Sequence, residues 1–135
     1  MFRVRREQLD WFADKARRDF VGRMVGYLEE HYHDWVEEMS REDLSAWVSA
    51  ATSKAERFKV VTEPEVAQLI LLYLLLGVDA DEEHPWVKET LTDRDLSGVG
   101  KVRKLVALAR SYEIEGIDEV VLAEHDDPPG EEAMG

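Results

Sequence analysis

Two histidines beside carboxylates come nearer to a metal site than any other residues in this chain. Glu30, His31 and His33 lie in one acidic stretch, and Glu30 with His33 matches half of the paired Glu-x-x-His pattern of di-iron helical bundles. The sequence contains no second copy of that pattern, and residues two apart on a helix lie on different faces. The stretch therefore favours a solvated helix end. A metal-dependent factor or enzyme that uses His31, His33 and the nearby carboxylates is the alternative hypothesis.

The segment from Ser97 to Lys101, Ser-Gly-Val-Gly-Lys, partly resembles a phosphate-binding loop. The complete pattern, Gly-x-x-x-x-Gly-Lys-Ser/Thr, follows a buried strand. Here Asp95 and Val102 replace the first and last residues of the pattern, and no strand is predicted upstream. The chain also has no cysteine and no Gly-x-Ser-x-Gly nucleophile pattern. We therefore expect a protein that is not an enzyme and that binds no cofactor and no metal.

Acidic residues dominate the chain, because thirty Asp and Glu against seventeen Lys and Arg give a formal net charge of −13. This charge repels the phosphate backbone that attracts nucleic-acid-binding proteins, so no nucleic-acid partner is expected. Acidic surfaces attract basic proteins and speed their encounter. Seven basic residues fall within the first 23 positions, whereas the last 24 contain nine acids and no Lys or Arg. Ends of opposite charge could contact each other or two different partners.

An apolar stretch at positions 62–77 predicts the helix around which the fold is organised. Positions 66–76 are apolar except for Gln68, if tyrosine is counted as apolar. A helix that is apolar on all sides must be surrounded by protein. The stretch is shorter than the about 20 apolar residues that span a bilayer, so no membrane segment is expected. Its end signals are the capping-box pair Thr62 and Glu65, the first-turn Pro64 and the terminal Gly77.

Four further helices are predicted around the central one, so we expect an all-α, single-domain bundle of about five helices. Their apolar residues recur at three- and four-residue steps, which is the period of one helix face. Ser40 and Asp43 form a second capping-box pattern, and Lys101 falls on the outward face of the last helix. The predicted helices span residues 8–32, 41–57, 86–91 and 100–112, with a turn at 33–39 and a loop at 78–85.

The sequence divides into a helical domain, residues 1–112, and an acidic C-terminal tail, residues 113–135. In the tail, the apolar residues from Ile114 to Leu122 predict a short strand or hook against the body. From Glu124 onward the composition is that of a flexible, disordered segment. The N-terminal residues lack the apolar core and cleavage site of a signal peptide, so a cytoplasmic location is expected.

Aromatic and charged side chains outside the apolar helix faces are the candidates for partner binding. Trp47 lies on an apolar face, and Trp86 follows a proline and is expected to pack its loop onto the body. Trp11 and Trp35 fall off the main apolar faces, and exposed aromatic residues are enriched at protein interfaces. The candidate partner-binding residues are Trp11, Arg17, Arg18, Trp35, Glu37, Glu38, Asp81, Glu82 and Glu83.

Three segments follow one another in a recognisable order: RRDFVGRMVGYLEEHY, Ala-x-Arg-Phe-x-Val-x-Thr-Glu-Pro-Glu-Val before the apolar helix, and HPWVKETL. This order, across roughly residues 5–108, resembles a group of small all-helical bacterial proteins encoded beside type VI secretion effector and PAAR-type toxin loci. In that group the second segment reads Ala-x-x-Tyr-Gly-Ile-x-x-Glu, from which this chain departs at Phe58, Lys59 and Val60. The residues that match the first segment are Arg17, Phe20, Arg23, Met24, Leu28 and His31.

The resemblance implies an accessory or immunity partner of such toxins. Together with the acidic charge, it leads us to expect a non-catalytic protein that binds a toxin or effector from its own locus. It would act either as an immunity protein that covers the toxin or as an adaptor or chaperone that holds the effector. A homo-oligomeric structural subunit, in which the basic N-terminal helix docks on a neighbour's acidic tail, is a further alternative.

Overall fold

A computed structural model describes residues 14–120, and within that range the chain forms helices joined by short turns, with no β-strand. The predicted all-α class is confirmed. The predictions for Trp11, for the first helix before Asp14 and for the acidic segment after Val120 lie outside the described residues. The helices are α1 (Asp14–His31), α2 (His33–Val36), α3 (Arg41–Arg57), α4 (Glu63–Leu76), α5 (Ala80–Glu83), α6 (Pro85–Leu91) and α7 (Gly98–Ser111), and residues 117–120 are also helical.

The central helix α4 is enclosed by its neighbours, as its composition predicts. Every residue of α4 from Val66 to Tyr73 is buried, and the partly exposed residues are the last three together with Pro64 and Glu65 in the first turn. Thr62 is the N-cap residue, but the predicted capping box does not form. Its hydroxyl instead donates a hydrogen bond to the Glu65 carboxylate, so it caps no backbone N–H. Gly77 ends the helix as predicted, and its backbone N–H donates to the Tyr73 carbonyl at 2.8 Å.

An ion pair joins the middle of α1 to the first residue of α4. The Glu63 side chain is fully buried, and Arg23 donates a hydrogen bond to its carboxylate at 2.8 Å. Burial alone would lower the pKa of the Arg23 guanidinium, but the hydrogen bond and charge of Glu63, with Asp19, hold that pKa above its ordinary value. Because a buried carboxylate is costly without a cationic partner, the pair holds α1 against the start of α4.

The first segment of the resemblance owes its residue types mainly to the core. Phe20, Met24 and Leu28 on α1 are fully buried, and α1 packs chiefly against α3. Helix α3 begins as predicted, because the Ser40 hydroxyl accepts a hydrogen bond from the Asp43 backbone N–H at 3.0 Å. These residues therefore report how the helices pack, which is a property of the fold.

Two segments predicted as turn and loop each contain one helical turn. Helix α2 lies within the predicted turn at 33–39, and α5 lies within the predicted loop at 78–85. Each is four residues long, which is too short for a repeating apolar face to appear in the sequence.

The last long helix begins at Gly98 and not at Gly100, because Ser97 is its N-cap residue. The Ser97 hydroxyl accepts a hydrogen bond from the Gly100 backbone N–H at 3.0 Å, so both glycines lie in the first turn of α7. The prediction that Lys101 faces outward is wrong. Lys101 is only 5% exposed, and its ammonium donates to the Phe58 carbonyl at 2.8 Å.

The packed body continues past the end of α7. The sequence predicts a short strand or hook from Ile114 onward, and the structure forms no strand there, because residues 117–120 are helical. Ile117 and Val120 are buried and belong to the same apolar core as α4. Of the helices between residues 14 and 120, none combines the length and the apolar character that crossing a bilayer requires.

Candidate partner-binding surface

The two candidate arginines on α1 have different surroundings. Arg18 is exposed, whereas the Arg17 guanidinium lies against α3. It donates to the Ser49 carbonyl at 3.3 Å and to the Ser53 hydroxyl, and it lies 3.8 Å from the Glu56 carboxylate. Arg17 therefore holds α1 to α3, and a partner that engaged its guanidinium would have to share these contacts.

The candidate residues around α2 lie at the surface. Trp35 is 42% exposed, which confirms the predicted partial exposure, and Glu37 and Glu38 directly after the helix are exposed as well. Glu37 and His33 face each other with 3.9 Å between Oε2 and Nε2. This part of the chain presents one large aromatic ring beside two carboxylates.

Of the three candidate acids of α5, one forms an ion pair within the protein and two are exposed. The Asp81 carboxylate lies 2.8 Å from the Lys54 ammonium, which also sits 5.1 Å above the ring of Tyr73. Asp81 therefore anchors α5 to α3 and α4. Glu82 and Glu83 are exposed and remain available to a partner.

The Tyr73 hydroxyl and the Gln68 side-chain nitrogen are the two buried side-chain polar atoms that lack a hydrogen-bond partner within the described part of the chain. Burial, reinforced by the charge of Asp81, raises the pKa of the Tyr73 phenol above its ordinary value. Tyr73 also borders a small gap in the core. The other side chains around this gap are apolar: Leu69, Leu72, Leu76, Ala80, Val87 and Leu105.

The two histidines of the metal hypothesis lie on separate helices. His31 ends α1 and has its Nε2 3.9 Å from a Glu30 oxygen, whereas His33 begins α2 and faces Glu37. Both imidazoles are largely exposed. From residue 14 to residue 120 the structure brings together no group of three or more His, Asp or Glu side chains in the arrangement of a metal site.

Three aromatic side chains that the sequence does not single out as a group meet where α6 begins and α7 ends. The rings of His84 and Trp86 have their centroids 5.8 Å apart, and those of Trp86 and Tyr112 are 5.1 Å apart. Both pairs are tilted, which is a favourable geometry for aromatic contacts. Tyr112 is 55% exposed, and the other two rings are half-buried. We call His84, Trp86 and Tyr112 the aromatic row.

The turn from Tyr112 to Gly116 connects the aromatic row to Trp35. Gly116 has a φ of 87°, and a Cβ at this position would lie 2.8 Å from Leu75 and 3.5 Å from the Trp35 ring. This left-handed backbone conformation favours glycine, and a Cβ would in addition require the Leu75 side chain to shift. Trp35 and the partly exposed end of α4 therefore lie beside Gly116, four residues after Tyr112, where the turn begins.

The surroundings of the aromatic row are acidic. Residues 79–89 include five acidic and one basic residue, and residues 112–119 include four acidic and no basic ones. The C-terminal carbonyls of α7 add partial negative charge at the same end of the helix. The exposed acids in these two segments are Asp79, Glu82, Glu83, Glu89, Glu113, Glu115, Asp118 and Glu119.

Comparison of the chain with protein-family models, with curated proteins and with solved structures gave no match. The capability of this surface therefore follows from its own geometry. Aromatic rings fixed by neighbouring helices and set among carboxylates suit contact with apolar and cationic groups of another molecule. Among the residues predicted for partner binding, the structure brings Trp35 close to this region. It also adds the three rings of the row, which share no local sequence pattern because Tyr112 is distant in the chain from His84 and Trp86.

Proposed function

We propose that this protein is a non-catalytic binding partner of another protein, and that this partner is a toxin or effector secreted from the same locus. The observation that carries the proposal is the exposure of Trp35 and Tyr112 near one turn, which begins at Tyr112 and contacts the Trp35 ring at Gly116. Tryptophan and tyrosine held by a folded scaffold are enriched among the residues that dominate interface energies. The resemblance to proteins encoded beside secretion-effector loci supports the choice of partner.

Binding would proceed by surface complementarity in two stages. The net charge of −13 first attracts a basic partner and raises its rate of encounter. Trp35 and Tyr112 are then buried in the complex, and the partner's contacts with them supply most of the affinity. This mechanism predicts an association rate that falls as salt is added, because salt screens exposed charges.

The proposal has two versions that differ in what the partner does when bound. An immunity protein would cover the active cleft of a toxin, whereas an adaptor or chaperone would hold an effector for loading. Expression of the neighbouring toxin, with and without this protein, separates them by cell growth. Rescue of growth supports the immunity version, and a stable complex without rescue supports the adaptor version.

The experiment measures complex formation between the purified full chain and the product of the neighbouring toxin gene by calorimetry. The test variant combines Trp35→Ala with Tyr112→Ala, which removes both exposed rings. The matched control combines Arg41→Ala with Glu42→Ala, which changes two exposed residues of α3 without changing the net charge. We expect a loss of affinity of about tenfold or more in the test variant alone, since each anchor contributes about 1–2 kcal/mol or more. Absence of both binding and growth rescue by the wild-type chain would overturn the proposal.

A further inference from the structure

We infer that the aromatic row is a binding site for an arginine or lysine side chain of a partner protein. The inference rests on the proposed function for the identity of that protein. It rests on the row itself for the chemistry. The ring geometry of His84, Trp86 and Tyr112, together with the negative charge around these rings, favours a cation over other side chains.

Ring geometry gives the first argument. The rings of Trp86 and Tyr112 pack against each other with 5.1 Å between centroids and 46° between planes, and the 55% exposed tyrosine presents ring area to water. A cation binds over an aromatic face at about 6 Å or less from the ring centroid. The protein already uses this interaction internally, since the Lys54 ammonium lies 5.1 Å from the centroid of Tyr73.

Charge gives the second argument. The row sits at the C-terminal end of α7, where the helix carbonyls favour a positive charge. Glu113 follows Tyr112 directly, and Glu89 lies one helical turn after Trp86 on the same face of α6. These carboxylates attract a cation and repel an acidic side chain.

The basic residues nearest in sequence do not fill the site. Lys88 and Arg110 each lie two positions from a ring of the row, and residues two apart on a helix point to different faces. Both are exposed, and neither is paired with a ring of the row by any contact among the described residues. Within residues 14–120 the site thus has no cationic occupant, and an Arg- or Lys-bearing segment of the basic partner fits it.

The direct probe is a flexible Gly/Ser peptide that carries two arginines, compared with the same peptide carrying two citrullines. Citrulline keeps the shape of arginine and removes its charge. Titration into the full-length protein is followed by nuclear magnetic resonance of the Trp86 indole and of the backbone amides at 84–86 and 112–116. We expect concentration-dependent shifts confined to these signals with the arginine peptide and none with the citrulline peptide. Equal shifts with both peptides would overturn the inference.

Two substitutions of Tyr112 test whether binding needs the aromatic face of the side chain or only its hydrophobic volume. Tyr112→Phe keeps the aromatic face and should bind the arginine peptide as the wild type does. Tyr112→Leu removes that face and should weaken binding about two- to fivefold, the range expected for an exposed cation–π contact. The inference fails if the two variants bind equally well.

A charge-matched pair tests the role of the nearby acids. Glu113→Gln with Glu115→Gln removes two carboxylates beside the row, whereas Asp93→Asn with Asp95→Asn removes two just before the other end of α7. Only the first pair of substitutions should weaken peptide binding. Equal weakening by both pairs would show that the net charge of the protein, and not the carboxylates beside the row, attracts the peptide.

The outcomes also separate this inference from the proposed function. If the toxin binds wild-type protein and Tyr112→Leu equally while the arginine peptide fails to bind, the cation site is wrong and the protein-binding function stands. If the arginine peptide binds as expected but the toxin does not bind the wild-type chain, the cation site stands and the identity of the partner is wrong.

Discussion

Helix α7 meets the rest of the protein through close backbone contact at its N-terminal end and through aromatic rings at its C-terminal end. A Cβ at Gly98 would lie 2.5 Å from the Lys59 carbonyl oxygen, and Lys101 donates to the Phe58 carbonyl. At the other end, Tyr112 contacts Trp86 and is still more than half exposed.

This difference shows which end serves the fold and which end is available for another task. At the N-terminal end, Gly98 leaves no room for an added atom, and the buried Lys101 ammonium offsets the negative end of the α3 dipole. The C-terminal end retains large aromatic area in contact with water, which a packing role alone does not require. Each end also has a non-glycine residue in the left-handed region: Lys59 with a φ of 68° and Glu113 with a φ of 54°.

Gly98→Ala should give the largest effect on stability, because its new Cβ would collide with backbone atoms that cannot rotate away. We expect the free energy of unfolding to fall by about 3 kcal/mol, at the upper end for overpacking. Gly100→Ala is the control, since its Cβ would meet nothing closer than the Ser97 hydroxyl at 3.4 Å. Urea denaturation of both variants measures the difference. Equal stabilities of Gly98→Ala and Gly100→Ala would show that the backbone of residues 59 and 60 can move to accept a Cβ at position 98.

Lys101→Met should come next, because it keeps the buried aliphatic chain and removes the ammonium that satisfies the Phe58 carbonyl. The expected loss is about 2 kcal/mol, which is typical of a hydrogen bond from a charged donor. Lys104→Met on the exposed face of the same helix should change stability by less than about 0.5 kcal/mol. Thermal or urea unfolding distinguishes them, and an equal effect at both positions would contradict a structural role for Lys101.

Lys59→Gly and Glu113→Gly should each stabilise the protein by about 1 kcal/mol, because glycine adopts the left-handed conformation without the steric cost that other residues bear. Only Glu113→Gly should weaken binding of the arginine peptide, since it removes a carboxylate beside the aromatic row. Urea denaturation and peptide titration of both variants test this. If both glycine variants were less stable than the wild type, the left-handed backbone conformation at these two positions would be contradicted.

The sequence predicts the centre of this fold better than its edges. Helix α4 could be recognised because an apolar surface on every side admits only a buried position, and α3 because Ser40 caps it. The sequence predicts an exposed Lys101 because helical periodicity places charged residues on the outer face of a helix. A lysine needs only a carbonyl acceptor to be buried, and the acceptor at Phe58 comes from a different part of the chain.

The candidate surface was only partly predictable for the same reason. Trp35 could be identified as exposed because it falls off the local apolar pattern. The aromatic row depends on a contact between Trp86 and Tyr112, which two separate helices create and no local spacing encodes. Asp81 was predicted to be available for a partner, yet Lys54 reaches it from α3. Tertiary contacts thus decide which surface charges and rings remain available.

Tyr112→Ser should have the smallest effect on stability, and it is the most direct test of the difference between the two ends of α7. If the C-terminal end of α7 serves binding, the loss of an exposed ring should change the free energy of unfolding by less than about 0.5 kcal/mol. The same substitution should weaken binding of the arginine peptide about two- to fivefold, as expected for Tyr112→Leu. Trp86→Leu is the contrasting variant, because the half-buried Trp86 also packs against the core and its replacement should reduce both stability and binding. A loss of stability in Tyr112→Ser as large as that in Lys101→Met would mean that both ends of α7 are structural, and the functional contrast between them would not hold.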